Sequence, residues 1–156
     1  MRSEITVRRL RQNERDSALL LVWNVFLQFE APDYTVEGVE EFRKSINSET
    51  YLSQLRFYGA FCEARLVGVI ATRNEGTHIA LFFVDAGYQR RGVGKRLFRE
   101  VCKRCSGRTI TVNSSPYAAA VYRRLGFTDT DGELEVNGLR FTPMKAGLTE
   151  SGDSQM

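Results

Sequence analysis

The sequence contains few residues of the types that build metal centres and nucleophilic triads. It has one histidine, His78, and three cysteines among 156 residues. With a single histidine available, a Ser-His-Asp triad is a poor interpretation. Cys102 and Cys105 form a CxxC pair, but a tetrahedral zinc site needs four ligands and there is no second pair. We therefore predict no metal site and interpret the pair as small core residues late in a helix.

Long apolar runs are also absent. The run at 18–23 is far too short to cross a bilayer, and no apolar signal core directly follows the basic start MRSEITVRRL. An odd number of cysteines without a signal peptide fits a reducing compartment, so we expect a cytoplasmic protein with no membrane segment. The net charge is only +3, and no stacking aromatics are interleaved with the basic runs. Nucleic acid is therefore not the expected partner.

The first half of the chain alternates strand-like and helix-like segments. A strand is predicted at 4–9, followed by a helix that Asn13 caps and that continues to Glu30. Thr35 is expected to cap a second helix, which ends near Ile46. Three β-rich runs within 55–84 predict an antiparallel meander.

The second half predicts an amphipathic helix from Val93 to Cys105 and a strand at 108–113. A further helix should have Ser115 as its N-cap and Gly126 as its stop, and the Asn-Gly pair at 137–138 predicts a final hairpin. The order is β-α-α-β-β-β-α-β-α-β-β. This is an α/β (α+β) fold with a central mixed, mostly antiparallel sheet flanked by helices. We expect one domain at 1–146 and a disordered tail at 147–156.

A Gly- and Arg-rich turn follows the meander, within FFVDAGYQRRGVGKRLF at 82–98. The dinucleotide fingerprint GxGxxG fails because Leu97 stands at the third glycine position. A P-loop fails because Val93 and Gly94 stand where Lys and Ser/Thr are required. The pattern [RQ]xxGx[GA] is matched at 89–94, and inward N–H groups at a helix start would hold a phosphate. A bare strand-to-helix turn with a solvated basic face is the alternative.

A second motif, AVYRRLGF, follows this turn at 120–127. With these two motifs at this spacing, the chain resembles the GCN5-related N-acetyltransferase (GNAT) superfamily. The resemblance covers roughly 4–146 in element order. It implies the GNAT fold, acetyl-CoA as co-substrate and no metal. The implied activity is direct transfer of the acetyl group, in a ternary complex, to a primary amine of a small molecule or peptide. A non-catalytic CoA-binding module and an RNA-directed acetyltransferase are the alternatives, and a homodimer is compatible with the family.

The resemblance also implies roles for individual residues. The pantetheine arm of CoA would pair with the backbone of Phe83 and Val84, where an N–H would polarise the thioester carbonyl. Tyr122 matches the position of a general acid for the departing thiolate. Either Asn113 or Ser115 would contact CoA. The remaining residues implied in CoA binding are Gln89, Arg90, Arg91, Gly92, Val93, Gly94 and Lys95.

The sequence defines the general base and the acceptor least well. Glu30 is a candidate base because it ends the first helix near the expected acceptor cleft, although a plain helix-end charge is the competing interpretation. His78 is the weaker candidate because it lies far from the strand end where the thioester would sit. Tyr34 is a candidate for lining the acceptor pocket. The aromatic residues that we assign to the core are Trp23, Phe26 and Phe29. No motif identifies the acceptor.

Overall fold

The computed structural model describes residues 4–148. The strands are β1 (Ile5–Arg9), β2 (Arg56–Cys62), β3 (Arg65–Arg73), β4 (His78–Val84), β5 (Thr109–Ser114), β6 (Thr128–Asp129), β7 (Leu134–Val136) and β8 (Leu139–Gly147). The α-helices are α1 (Arg15–Val25), α2 (Val36–Ile46), α3 (Glu49–Leu52), α4 (Val93–Arg104) and α5 (Ala119–Arg124).

The strands form a sheet in the order β1-β2-β3-β4-β5-β8-β6, and β7 pairs with β8. Only the pairing of β4 with β5 is parallel among those of the described residues; the rest are antiparallel. The predicted α/β class with a mixed, mostly antiparallel sheet is therefore confirmed.

Helices cover both faces of the sheet. Leu97 and Phe98 of α4 are fully buried in one apolar cluster, and Val22 of α1 is fully buried in the other. From Leu81 onward, successive residues of β4 alternate between these clusters, with Leu81 and Phe83 in the second and Phe82 packed against the first. Ile79 lies in the first cluster because the pairing of β3 with β4 shifts register between Ile79 and Leu81. Burial on both faces explains why the central strands are apolar in nearly every position.

The first helical segment is less regular than predicted. Asn13 is not an N-cap but lies inside a 3-10 turn, Gln12–Glu14. The chain is capped there by the Glu14 carboxylate, which accepts a hydrogen bond from the Arg11 backbone N–H at 2.7 Å. After α1 the segment continues as a π turn, Phe26–Glu30. Such insertions are frequent at functional sites, and apolar periodicity alone does not distinguish them from α-helix.

Other boundaries also differ from the prediction. The helix expected from Ser115 begins at Ala119, because the Ser115 hydroxyl caps the preceding turn by accepting from the Ala118 N–H at 3.2 Å. Helix α4 ends at Arg104, so Cys105 lies just beyond it. Both α3 and β6 were not predicted, since elements of two to four residues carry no readable periodicity.

Two predicted end signals are confirmed. Thr35 caps α2 by accepting a hydrogen bond from the Gly38 N–H at 3.2 Å. Gly126 follows α5 with a left-handed φ of 104°. The predicted boundary at 146 is too early, because Gly147 belongs to β8 and the Leu148 N–H donates to the Arg108 carbonyl at 2.7 Å. The rest of the predicted tail, 149–156, lies outside the described residues.

A pair of glycines joins the start of α2 to the β7–β8 turn. Gly138 in that turn has a φ of 83°, and a Cβ on Gly38 would lie 2.2 Å from the Gly138 carbonyl oxygen. The Arg140 guanidinium adds a hydrogen bond to the Asp33 carbonyl at 3.3 Å. Backbone therefore packs directly against backbone where the hairpin meets the α1–α2 connection.

Substitution of Gly38 by alanine is expected to lower the free energy of unfolding by about 2 kcal/mol, because the new methyl group overlaps fixed backbone. Gly132→Ala is the matched control, since nothing lies within 4 Å of the added Cβ there. Urea unfolding followed by circular dichroism measures both variants. Equal stability of the two would contradict the close approach.

Candidate functional site

Strands β4 and β5 pair over a short stretch, at the start of β4 and the middle of β5. His78 pairs with Thr111 and Ile79 with Val112, and among the described residues no further β4–β5 pair follows. Beyond this point β4 continues to Val84 while β5 stays paired with β8. The later part of β4 therefore presents backbone N–H and C=O groups to a gap in the sheet.

Alternation along β4 identifies which groups face this gap. The Asp85 N–H donates to the Val67 carbonyl of β3 at 2.8 Å, so residue 85 directs its backbone toward β3. Neighbouring residues of a strand point their backbone groups to opposite sides. Val84 and Phe82 therefore direct theirs into the gap, whereas Phe83 directs its own toward β3. Phe83 and Val84 are the two residues expected to pair with the pantetheine arm, and only Val84 directs its backbone N–H into the gap.

The gap opens into a cavity of about 690 Å³, a volume typical of small-molecule sites. Its walls come from the end of α1 with the π turn, the end of β4, the loop that follows, the start of α4, and α5 with the turn before it. The predicted residues that line it are Glu30, Phe83, Val84, Gln89, Arg90, Gly92, Gly94, Lys95 and Tyr122. The structure thus brings most of the predicted site together.

Other predicted binding residues lie outside this lining. Val93 buries its side chain in the core, which leaves only its backbone at the start of α4. Arg91 places its guanidinium carbon 5.2 Å from the ring centroid of Tyr88. Asn113 is exposed in the β5–β8 pairing. Ser115 is buried.

The loop before α4 is shaped for a close approach. Arg90 and Gly92 both adopt left-handed φ values, 63° and 81°. Gly92 caps α4, so the N–H groups of the first helical turn lack helical partners. Nothing lies within 4 Å of a Cβ added to Gly92, and the cations Arg90 and Lys95 line the same space. Free amides, a helix start and two cations around an open space fit a bound phosphate.

Glu30 lines the cavity from the π turn and is half-buried. Loss of contact with water raises the pKa of its carboxyl to about 7. A hydrogen bond from Ser115 acts in the opposite direction, and the negative charge of Asp33 raises the pKa further. The carboxyl therefore gains and loses its proton near neutral pH.

Tyr122 lies on α5 and is almost completely buried. The Phe82 and Phe127 rings pack edge-on around it, with centroid distances of 5.8 and 5.3 Å. Burial raises the pKa of the phenol above its ordinary value, and the charge of Glu30 raises it further. The phenol is therefore protonated at neutral pH, and its acidity depends on the charge of Glu30.

His78 lies at the opposite, paired end of β4. Its Nδ1 is 2.8 Å from the Thr111 hydroxyl. Burial, together with the positive charge of Arg73, lowers the pKa of the imidazole to about 4. It does not line the cavity.

The aromatic residues near the site belong to one apolar cluster. Phe26 is fully buried, and Trp23 and Tyr34 stack on it with centroid distances of 5.7 Å each. Trp23 and Phe29 are both half-buried and pack against the cluster that contains Phe26, which agrees with the core assignment of all three. Phe29 also stacks on Tyr117 at 5.1 Å.

Two contacts across the gap were missed from the sequence. The Gln89 amide nitrogen donates to the Val84 carbonyl at 3.0 Å, and the Tyr117 hydroxyl donates to the Gln89 amide oxygen at 3.0 Å. The Gln89 side chain therefore spans the gap instead of extending into the loop. The sequence marks Tyr117 only through its position directly after Pro116, in the turn before α5.

Within residues 4–148, no group of three or more His, Cys, Asp or Glu side chains is placed to hold a metal ion. In the same range, none of the helices combines the length and the apolar composition needed to cross a membrane.

Known structures share this architecture. The GCN5-related N-acetyltransferase from Rhodopseudomonas palustris is 22% identical, with coverage of 95% of this chain and 99% of that one and a TM-score of 0.80. The PaiA N-acetyltransferase from Thermoplasma acidophilum, in complex with coenzyme A, is 18% identical over 92% and 99%, with a TM-score of 0.74. The apo form of YjaB from Escherichia coli is 21% identical over 91% and 97%, with a TM-score of 0.71.

Sequence comparison gives the family. No curated protein matches this chain. The Acetyltransferase (GNAT) domain family matches residues 30–148, which include Glu30, the glycine-rich loop before α4, and α5. The structural matches are consistent with this, and the predicted GNAT fold is confirmed. The chain belongs to the GNAT acetyltransferase family.

Proposed function

We propose that this protein is an N-acetyltransferase that moves an acetyl group from acetyl-CoA to a primary amine by direct transfer in a ternary complex. Its family supports acyl transfer in general. The observation that carries the finer proposal is one cavity that joins a titratable carboxylate, Glu30, a protonated phenol, Tyr122, and the open edge of β4. A related structure contains coenzyme A, which supports that donor.

The donor would bind in two parts. Its extended arm would lie along the open edge of β4, where the Val84 N–H donates to the thioester carbonyl and polarises it. Its pyrophosphate would lie at the amides of 92–95, with Arg90 and Lys95 supplying positive charge. When bound, acetyl-CoA supplies the activated acyl group.

Glu30 would act as the general base. An alkylammonium has no lone pair, so it must lose a proton before its nitrogen attacks the thioester carbon. A carboxyl with a pKa of about 7 is largely ionised just above neutral pH and basic enough to take that proton. The new C–N bond then forms as the C–S bond breaks, and the nitrogen releases its second proton to solvent, which leaves a neutral amide. Glu30 afterwards returns its own proton to solvent, so that one net proton is released for each acetyl group transferred.

Tyr122 would donate a proton to the departing thiolate. While Glu30 is ionised, its charge raises the pKa of this phenol. Once Glu30 has taken the proton of the amine, that contribution disappears and the phenol becomes a stronger acid. The two groups would therefore act in sequence, and solvent returns the proton to Tyr122. A base and an acid in one cavity favour catalysis over a CoA-binding module without activity.

A CoA-release assay against panels of polyamines, amino acids, aminoglycosides and peptide N-termini tests the activity. On an amine that is acetylated, Tyr122→Phe is expected to lower kcat by about 100-fold, because it removes the proton donor. Calorimetry should find the Kd for CoA changed less than threefold. CoA binding by the wild type without acetylation of any amine would contradict the proposal, and unchanged turnover by the variant would contradict the role of Tyr122.

The open space at Gly92 allows a matched test of the phosphate site. Gly92→Ala should weaken CoA binding by at least about tenfold, because the added methyl group strains a left-handed residue and projects into the space proposed for the pyrophosphate. Gly126→Ala introduces the same left-handed strain with equally open surroundings, but outside the cavity. Both variants should lose about 1 kcal/mol of stability. Calorimetry that finds equal CoA affinities for Gly92→Ala and Gly126→Ala would contradict the proposed pyrophosphate site.

The raised pKa of Glu30 sets the pH dependence. Because a base must be deprotonated to act, kcat should fall about tenfold for each pH unit below about 7. Glu30→Gln should lower kcat by about 100-fold or more and remove this acid limb. Both effects can be measured from steady-state or stopped-flow rates at intervals of about half a pH unit between about pH 5.5 and about pH 9. A Gln variant that keeps the acid limb would show that another group is the base.

A further inference from the structure

Three side chains connect the phosphate-binding loop to the π turn that carries Glu30. Gln89 in the loop donates to the Val84 carbonyl and accepts from the Tyr117 hydroxyl, each at 3.0 Å. The Tyr117 ring then stacks on Phe29, with centroids 5.1 Å apart and planes 24° from parallel. Phe29 directly precedes Glu30 in the π turn. We call these three residues, Gln89, Tyr117 and Phe29, the brace.

Two of the brace residues, Gln89 and Tyr117, line the cavity, as does Glu30. Gln89 uses both ends of its amide, and Tyr117, although exposed, uses both its hydroxyl and its ring face, so each side chain has two partners. A π turn replaces the usual helical hydrogen bonds with i→i+5 bonds and is rare outside single turns of this kind. The stack of Phe29 on Tyr117 is a side-chain contact that can hold the turn in place.

We propose that the brace holds the π turn, and with it the Glu30 carboxyl, in a fixed position relative to the cofactor-binding loop, so that Tyr117 is a positioning residue for acyl transfer. This rests on the function proposed above. The Val84 carbonyl that anchors the brace lies on the same open edge that the cofactor arm would occupy. The brace therefore joins the open edge of β4 to the turn that carries the base.

The groups around Glu30 determine how its pKa should change when the brace is disrupted. The titratable groups that act on Glu30, or that Glu30 acts on, are Asp33, Tyr34 and Tyr122. The cations that line the same cavity are Arg90, Lys95 and Arg124. Release of the π turn would bring water to the carboxyl, which favours its charged form and lowers its pKa from about 7.

Tyr117→Phe tests the brace with the least disturbance, because it removes one hydroxyl and keeps the ring that stacks on Phe29. In the ligand-free protein, hydrogen exchange of the peptide spanning 26–33 should become about threefold to tenfold faster, as expected for one lost hydrogen bond. The ¹³C resonance of the Glu30 carboxyl, assigned against Glu30→Gln, should titrate at least about half a pH unit lower. The acid limb of kcat should move in the same direction.

Phe29→Leu cuts the brace at its other contact and should show the same changes. Tyr51→Phe is the control, since Tyr51 lies on α3 and does not line the cavity. Unchanged exchange and an unchanged Glu30 titration in Tyr117→Phe, in a wild type that binds CoA and acetylates amines, would overturn the brace and leave the proposed function standing. A wild type that neither binds CoA nor acetylates amines would overturn the proposed function; a shifted titration in Tyr117→Phe would still support the brace contacts.

Discussion

The separation of β4 from β5 is the constraint on which the site depends. A strand inside a sheet normally satisfies its N–H and C=O groups on both sides, and buried groups left without partners cost free energy. Within the part of the chain that the structure describes, β4 is paired with β5 only at His78 and Ile79, and the later residues Phe82–Val84 line a cavity. The fold thus retains an incomplete edge that an extended ligand can complete by supplying the missing hydrogen bonds.

The elements around this edge each supply one component of the proposed chemistry. The loop after β4 and the start of α4 lie at one end, where we propose that the pyrophosphate binds. The π turn brings Glu30 to the other end, where limited contact with water places its pKa near neutrality. Helix α5 places Tyr122 between Phe82 and Phe127, and the charge of Glu30 reaches it. Gln89 links these walls by bridging the incomplete edge itself.

Features encoded locally were predictable from the sequence. The meander, the amphipathic helix α4 and the cap at Thr35 follow from periodicity and from single-residue preferences, and the glycine pattern predicted the turn at Gly92 that begins α4. The π turn was not predictable, because it continues the apolar pattern of α1. The direction of the Val84 backbone depends on strand register, and the contact of Gln89 with Tyr117 joins segments that are distant in sequence. Such features depend on tertiary packing, which local patterns do not record.

A crystal structure of the protein with bound coenzyme A tests the central claim most directly. The account predicts that the pantetheine arm lies in the gap between β4 and β5, with the Val84 N–H about 3 Å from an acceptor atom of the arm or of the acyl group. The pyrophosphate should contact the amides of 92–95. A cofactor bound elsewhere on the protein, or a gap that closes by further β4–β5 pairing, would contradict the account.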